Sequence, residues 1–435
     1  MKKSFLGLLA FLSPAFLFAE DKLDTGDTAW MMVSAAVVLL MTPAGLALFY
    51  GGMTRSKNLL NTYAMVVGAF VVAFVVWIAA GYSIAFGAFD IPMVQKFIGG
   101  FDNLFLNGIK WSDLSGTYPT YVFVVFQGTF AAITVAIASG SVIERMKFST
   151  WLVFVAIWTI VVYAPIVHMV WGGDGALLFD AGALDFAGGT VVHMNGGLAG
   201  LVLALLVGKR KGYPRIAMKP SNMIFTALGA ALLWFGWFGF NGGSAFGANA
   251  IAGLAYLTTA LAPSIAAITW IILEYITYKK ITLLGAVSGI VAGLVAITPA
   301  AGFVDVMGAF IIGSVGAIVA FYGVVLLKKK LGYDDSLDAF GIHFLAGLWG
   351  ALATGFFALN DKELLWDGPL KASGDRMGQF FVQVESVVVV GLFTLVGTVV
   401  VYYIASILTG GGRVDEETET IGLDEAIHGE KAINI

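Results

Sequence analysis

Long apolar runs broken by short clusters of charged and small polar residues set the pattern of this chain. Eleven runs are long enough to cross a bilayer, at roughly 28–50, 61–87, 120–142, 148–170, 186–208, 222–241, 248–277, 281–299, 303–327, 336–359 and 379–408. About 20 apolar residues in helical form cover the ~30 Å hydrocarbon layer. Isolated segments in lipid satisfy their own backbone only as helices, so each run is predicted as a transmembrane helix. A twelfth, shorter run from Phe5 to Phe18 follows Lys2 and Lys3 and ends at Ala19, ahead of Glu20 and Asp21. Its basic start, brief apolar centre and small residue before the acidic pair predict a signal peptide over residues 1–19. Leu17, the third residue back from a cut after Ala19, fits a cleavage site poorly and leaves the cut position open.

The charged clusters between runs give the orientation. With the mature N-terminus outside, 16 Lys and Arg fall in the inner loops and tail, and 6 fall outside. Basic residues stay on the cytoplasmic side. The expected topology is therefore a multi-pass protein of the inner membrane, N-terminus outside and C-terminus cytoplasmic.

Composition supports the same class. Of 435 residues, 59% are hydrophobic and only 12% charged, too few to cover the surface of a soluble protein of this length. That balance excludes disorder, a coiled coil and nucleic-acid binding, and a net charge of −4 implies no special partner. With no Cys, disulfides, iron–sulfur clusters and thiol catalysis are excluded. No Walker A sequence or HExxH occurs, and the four His give a metal site little to work with. Neither an enzyme nor a cofactor is indicated.

An odd number of spans suggests five plus five plus one. Asp185 precedes His193 by eight residues in segment five, and Asp335 precedes His343 by eight in segment ten. Five spans apart, the two segments cross the membrane in opposite senses, the mark of an inverted repeat with its transport site near the midplane. The fold class is thus all-α and polytopic: an inverted 5+5 repeat plus one C-terminal helix. Both Asp read as caps at their helix starts. A single membrane His reads equally well as a satisfied structural group, but a symmetry-related pair points to the pore lining. Gly285, Gly289 and Gly293 form a small-residue face in segment eight, and Pro43, Pro165, Pro263 and Pro299 are placed to kink or end spans.

Aromatic residues form a second constellation. Phe126-Gln-Gly-Thr-Phe130 sets two rings one helical turn apart in segment three, Trp234 to Ser244 is aromatic- and glycine-rich at the outer end of segment six, and Trp171 follows segment four. Such residues commonly serve as packing or as an interfacial belt. Gathered at the outer face, they form a cage for a small cation. Cation–π attraction contributes about 2 kcal/mol when desolvated, against roughly 20 kcal/mol lost by a bare ion entering low dielectric. Rings therefore recruit a cation but do not carry it onward. Something must neutralise it or relay its proton, and a His pair can do so.

The motifs Ala47-Leu-Phe-Tyr-Gly-Gly, Phe126-Gln-Gly-Thr-Phe130, Asp185-Phe-Ala-Gly-Gly-Thr-Val-Val-His193, Trp237-Phe-Gly-Phe240-Asn and Asp338-Ala-Phe-Gly-Ile-His343 resemble those of the ammonium transporter (Amt/Mep/Rh) family, bacterial Amt branch, from about residue 28 to the C-terminus. The resemblance implies uptake of ammonium (and methylammonium) by a homotrimer with one pore per protomer. Phe126, Trp171 and Ser244 then correspond to an outer recruitment site, Phe130 and Phe240 to a stacked gate, and His193 and His343, with Trp237, to the lumen. Thr298 matches a residue near the gate, and Asp185 a buried carboxylate that orders the outer site. The same resemblance divides the chain into residues 1–19, a transmembrane domain at 20–409 and a regulatory tail at 410–435. The acidic tail alone reads as a solvated segment, but Gly422-Leu-Asp-Glu-Ala-Ile-His428-Gly-Glu430 is similar to the family's docking surface for PII-type signal proteins, with Ile433 in place of a usual Tyr. An ammonium sensor acting through a partner protein, with the same pore, is the alternative reading. An Rh-type neutral-gas channel would lack the outer Trp and Ser.

Overall fold

The structure, a computed structural model, describes residues 22–361, 364 and 369–432. The expected signal peptide and Ile433 lie outside the described residues. Eleven helical segments build the molecule: α1 (Thr25–Met53), α2 (Ser56–Phe86), α3 (Thr120–Ser139), α4 (Phe148–Trp171), α5 (Gly189–Val207), α6 (Met223–Gly243), α7 (Ala250–Tyr278), α8 (Leu283–Ile297), α9 (Val306–Leu331), α10 (Phe340–Phe357) and α11 (Arg376–Leu408). Ten are long and apolar enough to cross a membrane. The exception, α8, has 15 residues, about 22 Å of helix, and ends at Ile297, two residues before the expected end of segment eight. In the 33-residue loop between α2 and α3, β1 (Leu114–Ser115) and β2 (Tyr118–Pro119) pair antiparallel.

The prolines act as their chemistry requires. Pro lacks an N–H and crowds the preceding turn. Around Pro43, α1 widens into a π-turn at Met41–Leu46, and α4 does the same at Thr159–Tyr163, just before Pro165. Pro263 sits inside an unbroken α7. Its missing donor leaves the Thr259 carbonyl free, and Trp234 Nε1 fills it at 3.1 Å.

At the centre lies α3, buried on every side from Phe126 to Ser139. Against it cross α5 and α10, and their contact is reciprocal. A Cβ added at Gly197, four residues after His193, would meet the Phe344 backbone at 2.5 Å; one at Gly347, four after His343, would meet the Gly189 carbonyl at 2.9 Å. Matching glycines at matching offsets let the two halves of the inverted repeat approach backbone to backbone. The expected glycine face of α8 packs on α7, with Gly289 against Trp270 and Gly293 against Ala266 and Pro263.

Both crossing helices begin later than segments five and ten did in the sequence reading. Gly188 (φ 106°) and Asp338 (φ 61°) are left-handed, which holds 185–188 and 335–339 out of the helix. Asp185 and Asp335 therefore cap from one turn before the helix starts, through their carboxylates.

Ion pairs that the sequence presents as loop charges are buried on the face carrying the basic loops. Glu144 is fully buried and pairs with Arg55 (2.6 Å) and Arg210 (3.2 Å), and Arg210 pairs with Asp334 (2.8 Å). Arg145 donates to the carbonyls of Gly208 and Asp334 and to Ser336 Oγ, each at 2.6 Å. These contacts tie the α3–α4 turn to the ends of α1 and α5 and to the strand of chain entering α10.

The tail is docked rather than solvated. Its helix α12 (Glu416–Ile421) starts at Asp415, which accepts from Thr418 N. Glu419 accepts from Lys211 N and Arg413, and Asp424 accepts from Leu60 N (3.0 Å) and Asn61 N (2.8 Å). His428 meets Asn61 Oδ1 at 3.0 Å and lies edge-on to Phe148, with ring centroids 5.2 Å apart.

Candidate functional site

The sequence-predicted residues converge on one column running into the bundle from the N-terminal end of α3 and the C-terminal ends of α4 and α6. Its entrance is a cavity of about 280 Å³ whose wall includes Phe123, Gln127, Phe130, Trp171, Asp185, Ser244 and Phe246. Trp171, the last residue of α4, is oriented by its indole, which donates to the Asp185 carbonyl at 2.8 Å. Ser244, just past α6, donates to the Phe240 carbonyl at 2.8 Å, so its oxygen lone pairs remain available. Phe126 stands behind this wall, 4.8 Å from Phe130 and 6.3 Å from Phe246 between ring centroids. Gly243 leaves the room it occupies, since a Cβ there would lie 2.8 Å from the Phe126 ring.

Asp185 is the anchor of the entrance. Oδ1 accepts from the N–H of Gly188 (2.8 Å) and Gly189 (2.6 Å), and Oδ2 from the N–H of Thr190 (2.8 Å) and Val191 (3.1 Å). The Thr190 hydroxyl donates to Oδ2 as well. One carboxylate thus caps α5, where the helix dipole favours negative charge, while its backbone carbonyl fixes Trp171. Both of its oxygens are taken, so it presents no unsatisfied oxygen to the cavity.

Below the entrance Phe130 and Phe240 stack at 4.0 Å with their planes 12° apart, and both are buried. Next comes His193, 5.9 Å from the Phe240 ring and stacked on Trp237 at 5.2 Å. Trp237 Nε1 donates to Thr298 Oγ1 at 2.9 Å, so Thr298 orients the indole that backs the histidine. His343 follows, its Nδ1 lying 3.3 Å from His193 Nδ1 with the rings 17° from coplanar. In such a pair one ring donates and the other accepts. The donor ring then keeps a lone pair on Nε2, while the acceptor ring keeps an N–H there. His193 Nε2 has no protein partner and is free to face a passing molecule.

All ten residues singled out from sequence thus fall within one column. Sequence reasoning missed Gln127, Phe123 and Phe246. Gln127 lies inside a quoted motif but carries no periodic or charge signal, and Phe246 reaches the cavity only because its own φ is 54°. Gln127 is 3% exposed and its Oε1 has no hydrogen-bond partner. An orphaned buried carbonyl costs about 1–3 kcal/mol. His168, one turn before Trp171, has its ring nitrogens 2.9 and 2.6 Å from the carbonyls of Ala85 and Gln95, a structural tie between α4 and the outer loop.

A helical bundle buried around an aromatic and histidine column, with a cavity at its mouth, defines a multi-pass membrane transporter. The chain belongs to the Ammonium Transporter Family, whose model matches residues 29–433. It is 46% identical to the ammonium transporter of Aquifex aeolicus (strain VF5), covering 99% of both chains. It is 45% identical to that of Bacillus subtilis (strain 168), covering 94% of this chain and 99% of the relative. Among solved structures it superposes on Saccharomyces cerevisiae Mep2 with a TM-score of 0.80 at 33% identity, covering 91% and 89%. A sensor Amt protein superposes with a TM-score of 0.84 at 29% identity, covering 92% and 98%. Transport of ammonium, not catalysis, is the activity of this fold.

Proposed function

We propose that the column conducts ammonium inward, with each of its levels performing one step. The observation that carries this reading is the buried Nδ1–Nδ1 contact of His193 and His343 directly beneath a stacked phenylalanine pair. Phe126, Trp171 and Ser244 recruit the cation: ring faces attract its charge, and the serine oxygen accepts one N–H. Phe130 and Phe240 form the gate, and their rings must swing apart for passage. His193 and His343 line the lumen with Trp237 behind them and Thr298 holding Trp237. Asp185 positions Trp171 without touching the ion. Ammonium and potassium are alike in size, but only ammonium donates hydrogen bonds and can lose a proton. A hydrophobic lumen with an imidazole pair rewards both differences.

The same reading places the protein in the inner membrane as a homotrimer of independently conducting protomers, with the cavity outside and the tail cytoplasmic. The apolar outer groove of α1 and α3, including Met32, Leu39 and Val125, suits burial against lipid or a neighbouring protomer. The tail at 410–432, docked on α2 and the α5–α6 loop, is suited to present a surface to a PII-type signal protein. The sensor alternative shares this pore, and the curated relatives at 45–46% identity are named as transporters, which favours uptake.

Methylammonium uptake by a strain lacking its own ammonium transporters tests the function. Within that assay, Trp171→Leu is expected to raise the half-saturation concentration about tenfold, the equivalent of about 1.4 kcal/mol of lost recruitment. A variant that assembles normally and shows unchanged concentration dependence and selectivity removes the outer site from the scheme. Deleting residues 414–435 is expected to abolish capture of a PII-type protein from membranes. Full-strength capture by the truncated protein rules out the tail as its dock.

A further inference from the structure

We propose that Gln127 is a second hydrogen-bond acceptor for the cation in the outer cavity, its side-chain carbonyl taking an N–H that Ser244 does not. This rests on the reading of that cavity as the recruitment site. Four polar side chains among the described residues line it: Gln127, Trp171, Asp185 and Ser244. An indole has no acceptor, and the Trp171 N–H is already given to the Asp185 carbonyl. The Asp185 carboxylate receives five donors, four from backbone and one from Thr190, which fills its roughly four lone-pair sites. Ser244 spends its proton on Phe240 and keeps an accepting oxygen. Gln127 is the remaining side-chain acceptor of the wall: its Oε1 is sealed and unpartnered among the described residues, and it meets the cavity when the amide turns about its terminal bond.

The amide is suited to the task. Gln127 is 3% exposed and lines the cavity, so its side chain stays at the wall while its terminal amide can still turn. A cation repels the NH₂ end and attracts the carbonyl end, so the amide presents its oxygen whichever way the empty cavity leaves it. A tetrahedral cation with four N–H groups then meets two oxygens and several ring faces. Potassium needs six or more oxygens to replace its hydration and finds two. Gln127 therefore discriminates by counting donors, a criterion that ring faces alone do not apply.

Currents from reconstituted protein on solid-supported membranes test this with Gln127→Leu, Gln127→Glu and Trp171→Leu, in ammonium. Gln127→Leu is expected to raise the half-saturation concentration about tenfold, or about 1.4 kcal/mol, with the maximal current changed by less than twofold. Gln127→Glu is expected to lower it several-fold, because the cation then meets a charged acceptor, and to make potassium a competitor. A purely structural glutamine would give shifts of the same sign in both variants, or lost assembly in both, and either result overturns the proposal. Should Gln127→Leu alone fail to assemble, the sign of the Gln127→Glu shift decides. If Trp171→Leu shifts the half-saturation and neither Gln127 variant does, the outer site stands without Gln127. If none of the three shifts it, the recruitment site itself falls and Gln127 with it.

Discussion

Exchanging His343 for glutamate is expected to yield a pore that assembles, still conducts ammonium and begins to pass potassium. In the native column His193 and His343 share one hydrogen bond at 3.3 Å, and neither ring offers a fixed charge. An ion that cannot release a proton must then lose most of its hydration without compensation, on the order of 20 kcal/mol in the limit of a bare ion in low dielectric. A carboxylate at 343 supplies an anion where a neutral ring stood and offsets much of that loss. Potassium current is expected to rise from background to about a tenth or more of the ammonium current, a barrier change of several kcal/mol at about 1.4 kcal/mol per decade. His193→Asp should behave alike, since the two sites are related by the inverted repeat. The double substitution to alanine removes both imidazole acceptors from the lumen and is expected to cut ammonium current at least tenfold. The measurement is current on solid-supported membranes, in ammonium and then potassium, alongside the yield of assembled protein. Normal ammonium current with no potassium leak in all of these variants, the double alanine included, would show that the pair plays no part in selection. Loss of assembly in each of them would make the histidines structural.

What the sequence made legible, and what it hid, follows from the range of each signal. Hydropathy reports on a local stretch of chain, so spans are placed to within a few residues, and the late starts of α5 and α10 have local causes in the left-handed residues Gly188 and Asp338. The histidine pair was legible because repeated Asp–His spacing in two spans is a pattern along the chain. Stacking of Phe130 on Phe240 joins residues 110 apart and entered only through the resemblance. The lining by Gln127 and Phe246 had no signal at all: one is a lone uncharged side chain, the other depends on a φ value. Charge alone suggests a solvated tail, since Asp424 and Glu419 are acidic in a polar segment, but their carboxylates accept from backbone N–H groups more than 200 residues away. The loop Arg residues were counted for orientation, a use that treats them as points of charge, although Arg145 and Arg210 are buried hydrogen-bond hubs.

That buried hub carries the second large effect. Glu144 sits at φ 72°, an unusual conformation for a residue with a side chain, and its carboxylate joins two spans and a loop. Thr54 Oγ1 and Arg55 N donate to Oε1, while the Arg55 and Arg210 guanidiniums converge on Oε2. Burial would push this carboxyl up, but the hydrogen bonds and charges of Arg55 and Arg210 more than offset it and hold its pKa below the ordinary glutamate value. Asp334, fixed by Arg210, is lowered for the same reasons. Glu144→Ala deletes the shared anion and leaves the Arg210 guanidinium, itself 5% exposed, with Asp334 alone. Removing one member of a buried ion network costs about 3–5 kcal/mol, so this variant is expected to lower the thermal midpoint of the detergent-solubilised protein by several degrees or to abolish assembly. Glu144→Gln keeps the volume and can still accept from Thr54 and Arg55 N, and is expected to recover part of that loss. The pH dependence has a fixed sign. A carboxyl with a lowered folded pKa contributes stability above its unfolded pKa and loses it as pH falls through the folded one. The native protein is therefore expected to lose stability steeply once pH drops below the ordinary carboxylate range, and Glu144→Gln to show a shallower loss. Equal slopes in the two proteins, with an unchanged midpoint for Glu144→Ala, would show that the buried network does not hold these ends of the spans together.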